Sequence, residues 1–247
     1  PPPPLTQHDA LPICKNLYVA YIDFRKAFNF VKRSLLFTKI LKSGLHGNAI
    51  KLLINMYNKT RAKVKINGVL YQWIKDHIGM NQGGPVSPNL FRKFLADLIG
   101  FLKLECGLIL STDTILLHLL WADDLILVSD TPEGLQTQLD GLYNFCKNYH
   151  MIVNETKTKV MVFGKQSHFD FIYNKKVLEI VPNYKYLGVI FRSVSRCDGN
   201  IFVDAYEHVA KQARKAMYKI LKDTKKIGMI PPLVALQLYD SLVLPIL

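Results

Sequence analysis

The sequence predicts an α+β chain: a ferredoxin-like βαββαβ sheet with helices on one face, continued by a helical segment. Three observations predict it. The patterns run strand, helix, hairpin, helix, strand from Leu17 onward. Two apolar, strand-like runs end in carboxylates, at Asp23 and at Asp123-Asp124. From Ile201 to the end, apolar residues recur at helical spacing.

Leu17 to Phe24 is a β-branched and aromatic run that reads as a buried strand, with Asp23 at its end. Ser34 to Lys42 and Asn48 to Tyr57 have helical spacing, punctuated by Gly44 and Gly47. Asn67-Gly68 separates two strand-like runs, Ala62–Ile66 and Val69–Ile74, and is the strongest short hairpin signal a sequence offers. Gly79 to Pro88 reads as a loop, followed by a helix from Leu90 to about Leu104. Ile115–Trp121 and Leu125–Val128 flank Asp123-Asp124 and predict a second hairpin with carboxylates near its tip. Thr131-Pro132-Glu133 combines an N-cap hydroxyl, proline at the first helical position and an acid at the positive dipole end. That helix is expected to reach about Asn148. Strands follow at Val160–Phe163, Phe169–Tyr173 and Tyr184–Phe191, then helices from Ile201 to about Lys222 and from Leu233 to Leu244.

Composition narrows the class. Hydrophobic residues make up 49% of the 247, enough for a sizeable core. No apolar stretch reaches the roughly 18 residues of a membrane span. The nearest, Ile115 to Val128, carries Asp123 and Asp124 and reads better as strands buried on both faces. The 32 Lys and Arg against 19 Asp and Glu give +13, which favours a polyanionic partner over a membrane, since no basic amphipathic helix carries an aromatic-rich apolar face. Cys14, Cys106, Cys146 and Cys197 are scattered and form no metal-type pair, which fits a reduced, intracellular setting. Pro1 to Asn16 form a proline-rich lead-in without signal-peptide character and are left out of the fold.

A lone Asp-Asp pair reads first as a hairpin turn or helix cap. The apolar flanks of Asp123-Asp124, and Asp23 in an equally apolar setting, raise it above that reading. Carboxylates inside apolar strands are costly unless protonated, paired or bound to cations. Hard oxygen ligands of this kind suit Mg²⁺, and two such ions about 3.5–4 Å apart clamp the attacking and leaving oxygens of a phosphoryl transfer. A glycosidase-like acid/base pair is the rival, opposed by the net charge and by the lack of aromatic sugar platforms near these acids.

Five segments carry a family resemblance, in the family's order. Tyr21-Ile22-Asp23-Phe24-Arg25-Lys26-Ala27-Phe28 resembles motif A of reverse transcriptases from non-LTR (LINE-type) retrotransposons, and Gly79 to Phe91 resembles motif B. Trp121-Ala122-Asp123-Asp124 resembles motif C, Asn154 with Lys157-Thr158-Lys159 motif D, and Tyr184 to Val189 motif E.

The resemblance implies a reverse-transcriptase palm over residues 17–192 and a partial helical thumb over 193–247. It implies an RNA-directed DNA polymerase that takes an RNA template, a DNA primer and deoxynucleoside triphosphates. The cofactor would be two Mg²⁺ ions, with Mn²⁺ as the substitute, on Asp23, Asp123 and Asp124. Phe24, Phe28, Gln82 and Gly83 would bind the nucleotide, with Phe28 as the ring that collides with a 2′-hydroxyl. Lys157 would serve the leaving pyrophosphate, and Tyr184, Lys185, Tyr186, Leu187 and Gly188 would grip the primer end.

Trp121 replaces the usual Tyr or Phe of motif C, and Asn29 stands where many relatives carry Asp. The basic finger motifs that precede motif A in the family are not matched by Pro1 to Asn16. The expectation is therefore a fragment of a larger polyprotein of nuclear or cytoplasmic ribonucleoprotein particles. A binding remnant without chemistry, or a group II intron-type enzyme, is the alternative.

Overall fold

A computed structural model describes residues 16–75, 78–81, 83–111, 113–164, 169–193, 201–227 and 231–246. The chain divides into two compact units, residues 1–162 with 166–180, and residues 163–165 with 181–247.

The first unit opens with strand β1 (Leu17–Asp23), a short 3-10 turn at Ala27–Phe30 and helices α1 (Arg33–Lys42) and α2 (Gly47–Asn58). A hairpin of β2 (Arg61–Ile66) and β3 (Val69–Lys75) follows. Its turn, Asn67 at φ 49 and Gly68 at φ 85, has both central residues left-handed, as that dipeptide predicts. Helix α3 (Ser87–Leu95) comes next, then β4 (Leu108–Ser111), β5 (Thr114–Leu116), β6 (His118–Trp121) and β7 (Asp124–Ser129). Helix α4 (Pro132–Tyr149) leads to β8 (Lys159–Phe163) and the short strands β9 (Ile172–Tyr173), β10 (Lys176–Val177) and β11 (Glu179–Ile180).

The main sheet has the order β11-β8-β1-β7-β6. Without its edge strand β11, that is the interleaved order the βαββαβ pattern requires, with the first and third strands at the centre. β1 and β7 are antiparallel partners from Tyr18↔Ser129 to Asp23↔Asp124. Their side chains are buried on both faces. Tyr18, Ala20 and Ile22 join the main core, while Val19 and Tyr21 on the alternate face are 6% and 4% exposed. Burial on both faces is why these strands read as continuous apolar runs rather than alternating ones.

Helix α4 starts as the sequence predicts. The Thr131 hydroxyl accepts from the Gly134 N–H at 3.1 Å, with Pro132 in the first turn. Leu135, Leu139, Leu142 and Phe145 form its fully buried stripe.

Several elements differ from expectation, among them the strand expected over Phe169–Tyr173, which is reduced to Ile172–Tyr173. The helix expected to run from Leu90 to Leu104 stops at Leu95 and tightens into a 3-10 turn at Ala96–Phe101. There α4 comes within backbone range: a Cβ on Gly141 would lie 2.2 Å from the Phe101 carbonyl oxygen. Ring contacts of Phe101 with Phe145 and Tyr149 hold that approach, so packing overrides helical spacing. Ile115–Trp121 is not one strand, because Leu117 separates β5, which pairs with β4, from β6, which joins the main sheet. The run whose pattern reads as a single strand over Tyr184–Phe191 is a hairpin, the form the motif E resemblance implies for Tyr184 to Gly188.

That hairpin belongs to the second unit, as β12 (Asn183–Tyr186) and β13 (Val189–Arg192), turning at Leu187 (φ 46) and Gly188 (φ 88). Helices α5 (Val203–Ile227) and α6 (Pro232–Leu242) complete the unit. Backbone bonds tie the hairpin into it: Ser193 N–H to the Pro182 carbonyl at 2.7 Å and Arg192 N–H to the Ile201 carbonyl at 3.0 Å. The expected boundary at residue 192 falls inside this unit. Among the described residues, no helix is long and apolar enough to cross a membrane. The lead-in, up to residue 15, lies outside the described residues.

Candidate active site

Asp23 closes β1, Asp124 opens β7, and the two are direct cross-strand partners. Trp121 pairs with Asp124 across β6 and β7, which leaves Ala122 and Asp123 as a two-residue turn. Ala122 sits at φ 54, a left-handed conformation that fits a tight hairpin and strains a residue carrying a Cβ. The turn removes Asp123 from strand alternation and sets it at the tip, next to Asp124. All three expected acids therefore meet at one end of the sheet, with Asp23 half-buried and the other two exposed.

Their charges interact. Burial first, then the negative charges of Asp123 and Asp23, hold the Asp124 carboxyl above its usual range. A proton or a cation relieves such repulsion. Among the described residues, no three His, Cys, Asp or Glu side chains stand close enough to close around one ion. Mg²⁺ needs less than that: one or two carboxylates, with substrate phosphates and water filling its octahedron. Hard, mutually repelling oxygen donors at an exposed sheet end fit that requirement.

The backbone of Asp23 is fixed on both sides. Its N–H donates to the Thr158 hydroxyl at 3.2 Å, and its carbonyl accepts from the Asn154 N–H at 2.7 Å. The next residues continue the seam, with Phe24 bridged to Val153 and the Arg25 N–H bound to the Ile152 carbonyl at 2.7 Å. Thr158 is fully buried, whereas Lys157 beside it is exposed, with its N–H on the Asn154 carbonyl. Asn154 and Thr158 are positioning residues that the sequence reading left without a role. Their bonds reach across as many as 135 residues, and no local pattern signals that.

Phe24 is 5% exposed and packs into the core, so its side chain is not at the site surface. Any part it plays in nucleotide binding falls to its backbone. Phe28 is half-buried and stacks on Phe91 of α3, with centroids 4.7 Å apart and planes 25° apart. Its carbonyl accepts from the Met80 N–H at 2.7 Å, and the Gly79 N–H donates to the Val31 carbonyl at 2.8 Å. Gly79 cannot be exchanged freely: it has φ +81, and a Cβ there would lie 2.8 Å from the Asn29 carbonyl oxygen. Buried Arg33 secures the same joint by donating to the Gly79 and Tyr57 carbonyls at 2.8 and 3.0 Å. Gly83 is exposed at φ +79, and Gln82 lies outside the described residues.

Tyr184 to Gly188 lie in the second unit, with Tyr184 and Tyr186 half-buried and Lys185, Leu187 and Gly188 exposed on the β12–β13 hairpin. The first unit alone unites Asp23, Asp123, Asp124, Phe28 and the segment bearing Lys157.

Residues 3–191 match the family described as Reverse transcriptase (RNA-dependent DNA polymerase). The chain belongs to the reverse transcriptase family. It is 26% identical, over 191 residues, to the "Retrovirus-related Pol polyprotein from type-1 retrotransposable element R2" of Nasonia vitripennis, covering 72% of this chain and 18% of that protein. It is 23% identical, over 241 residues, to the corresponding polyprotein of the type-2 element R2DM of Drosophila melanogaster, covering 93% of this chain and 22% of that one. This reverse transcriptase chain thus spans about a fifth of the length of the curated relatives it matches. These relatives agree with the motif resemblance to non-LTR reverse transcriptases. Among solved structures it resembles apo telomerase from Candida Tropicalis truncated from the C-terminal domain, with TM-score 0.51 and 17% identity over 73% of this chain and 35% of that one. That likeness supports the palm-like fold.

Proposed function

We propose that this chain carries the polymerising site of an RNA-directed DNA polymerase, adding deoxynucleotides to a primer 3′-hydroxyl on an RNA template. The observation that supports it most is the β1–β7 register, which pairs Asp23 with Asp124 and sets Asp123 at the adjoining turn. Asp23, Asp123 and Asp124 would hold two Mg²⁺ ions, for which Mn²⁺ can substitute. When bound, such ions orient the reacting oxygens and offset the charge that develops on them.

The chain's own residues set the rest. The bonds from Asn154 and Thr158 fix the Asp23 backbone, so its carboxylate leaves a rigid strand end. Phe28, which stacks on Phe91, would be the ring that a ribose 2′-hydroxyl collides with, and so would select deoxynucleotides. Gln82 and Gly83 would lie against the nascent base pair. The Lys157 ammonium donates a proton to, or holds the charge of, the departing pyrophosphate. The β12–β13 hairpin, Tyr184 to Gly188, supports the primer end, and α5 and α6 begin a thumb.

The test is extension of a DNA primer on an RNA template with Mg²⁺, comparing the chain with its Asp123→Asn form. Extension that depends on Asp123 supports the reading, and extension indifferent to the change sinks the site.

A further inference from the structure

The β2–β3 hairpin is not absorbed by the site described above. It forms a two-stranded sheet that pairs with no other described strand, and every residue of β2 is exposed. The stretch from Phe24 to Lys75 contains twelve Lys and Arg and no Asp or Glu, so nearly all of the chain's +13 is concentrated there. The hairpin is its most exposed part.

Charge is only half of the pattern. Arg61 and Lys63 lie on one face by strand alternation, and Lys63 pairs directly with Trp73. The Lys63 ammonium stands 4.5 Å from the centre of the Trp73 ring. Trp73 is 60% exposed and Tyr71 is 54% exposed. The opposite face, where Ala62 pairs with Ile74, is aliphatic. Two large aromatic rings left open to water beside a row of cations mark a surface shaped for a partner. Cations that follow a phosphate chain, with flat rings that stack on bases, are the chemistry of single-strand binding. A duplex would keep its bases out of reach of Trp73, and an acidic peptide would give the rings nothing to stack on.

We propose that the cationic, aromatic surface of the β2–β3 hairpin binds single-stranded nucleic acid, through Arg61 and Lys63, with Lys65 beyond the register shift, to phosphates and Trp73 to a base. It rests on the nucleic-acid part of the reading above and not on the carboxylate chemistry. The hairpin pairs with neither β1 nor β7, which carry the acids, so it handles strand rather than reaction.

The experiment uses the whole chain and a fluorescein-labelled oligouridylate of about 16 nucleotides, followed by anisotropy across a salt series. Trp73→Ala weakens binding by about tenfold to a hundredfold, and Trp73→Phe restores most of it. Replacing Arg61, Lys63 and Lys65 together by Ala lowers the slope of log affinity against log salt by about 2. These positions are exposed, so circular dichroism of each variant matches the parent. If the hairpin variants bind with unchanged affinity and slope, the assignment is overturned, whether or not the chain extends primers. If oligoglutamate competes as well as oligouridylate and is equally indifferent to Trp73→Ala, the face is a general cationic surface and the proposal also falls. If extension fails while the hairpin variants still lose oligonucleotide, the polymerase reading falls and the hairpin assignment stands.

Discussion

Two of the antiparallel hairpins, β6–β7 and β2–β3, share tight two-residue turns and are built to opposite ends. In β6–β7, the strand beyond Asp124 is buried throughout, and charge is confined to the turn, as Asp123 and Asp124. In β2–β3, the whole of β2 is exposed, cations recur along it, and the turn is the neutral Asn67-Gly68. The same backbone pattern thus presents two different surfaces. One buried strand, β7, anchors a small anionic tip, which suits chemistry that depends on placement. Exposed flanks present a long cationic face, which suits a partner held by many weak contacts.

The largest break in this comparison comes at the anionic tip. Asp23→Asn should slow primer extension by about a thousandfold, because several kcal/mol of charge stabilisation go with a metal ligand and each 1.4 kcal/mol is tenfold. Single-turnover incorporation rates, measured with folding checked in parallel, read this directly.

Stability should separate the two hairpins next. Leu127 on β7 is fully buried, so Leu127→Ala should cost about 2–5 kcal/mol. Ile74 on β3 is 54% exposed, so Ile74→Ala should change stability by about 0.5 kcal/mol or less. Urea denaturation of both variants checks the contrast, and equal losses would show that the β2–β3 hairpin is not the open element described.

Phe28 tests whether the buried side of the site sets sugar choice. Phe28→Val should raise use of ribonucleotides relative to deoxynucleotides by about tenfold to a hundredfold, measured as a ratio of kcat/KM. An unchanged ratio would return Phe28 to a packing role against Phe91.

The smallest effect concerns an ion pair away from both turns, between α1 and the 3-10 turn at Ala96–Phe101. Burial pushes the Asp97 carboxyl up, but hydrogen bonds from Tyr149 and Lys39, with the charges of Lys39 and Lys42, bring it below its usual range. The Tyr149 hydroxyl donates to Asp97 at 2.5 Å, and Lys39 stands 3.0 Å from the same carboxylate. A carboxyl with a lowered folded-state pKa stabilises the fold above its unfolded value and loses that contribution as pH falls through the folded one. Urea midpoints of the chain and of Asp97→Asn should therefore differ near neutrality and converge in acid.

Much of this was legible in the sequence, for identifiable reasons. β1 and β7 announced themselves because both of their faces are apolar, and α4 because Thr131-Pro132-Glu133 makes a complete helix start. The Asn67-Gly68 turn carried its own backbone preference. The acids were found because charge in an apolar run is conspicuous. What was missed depends on distant atoms. The 3-10 ending of α3 is imposed by Gly141 on α4, and the anchoring of Asp23 by Asn154 and Thr158 joins segments far apart in sequence. The β4–β5 hairpin was missed because Leu108–Ser111 is a short run beside a longer apolar one.

The account turns on the carboxylates of the β1–β7 end acting together on a divalent cation. Titration of the chain with Mn²⁺, followed by the loss of the free-ion electron paramagnetic resonance signal, measures this without any reaction. The account predicts saturable Mn²⁺ binding that Mg²⁺ displaces and that Asp23→Asn and Asp123→Asn each weaken severalfold or more. Mn²⁺ binding identical in the parent and both variants would contradict it.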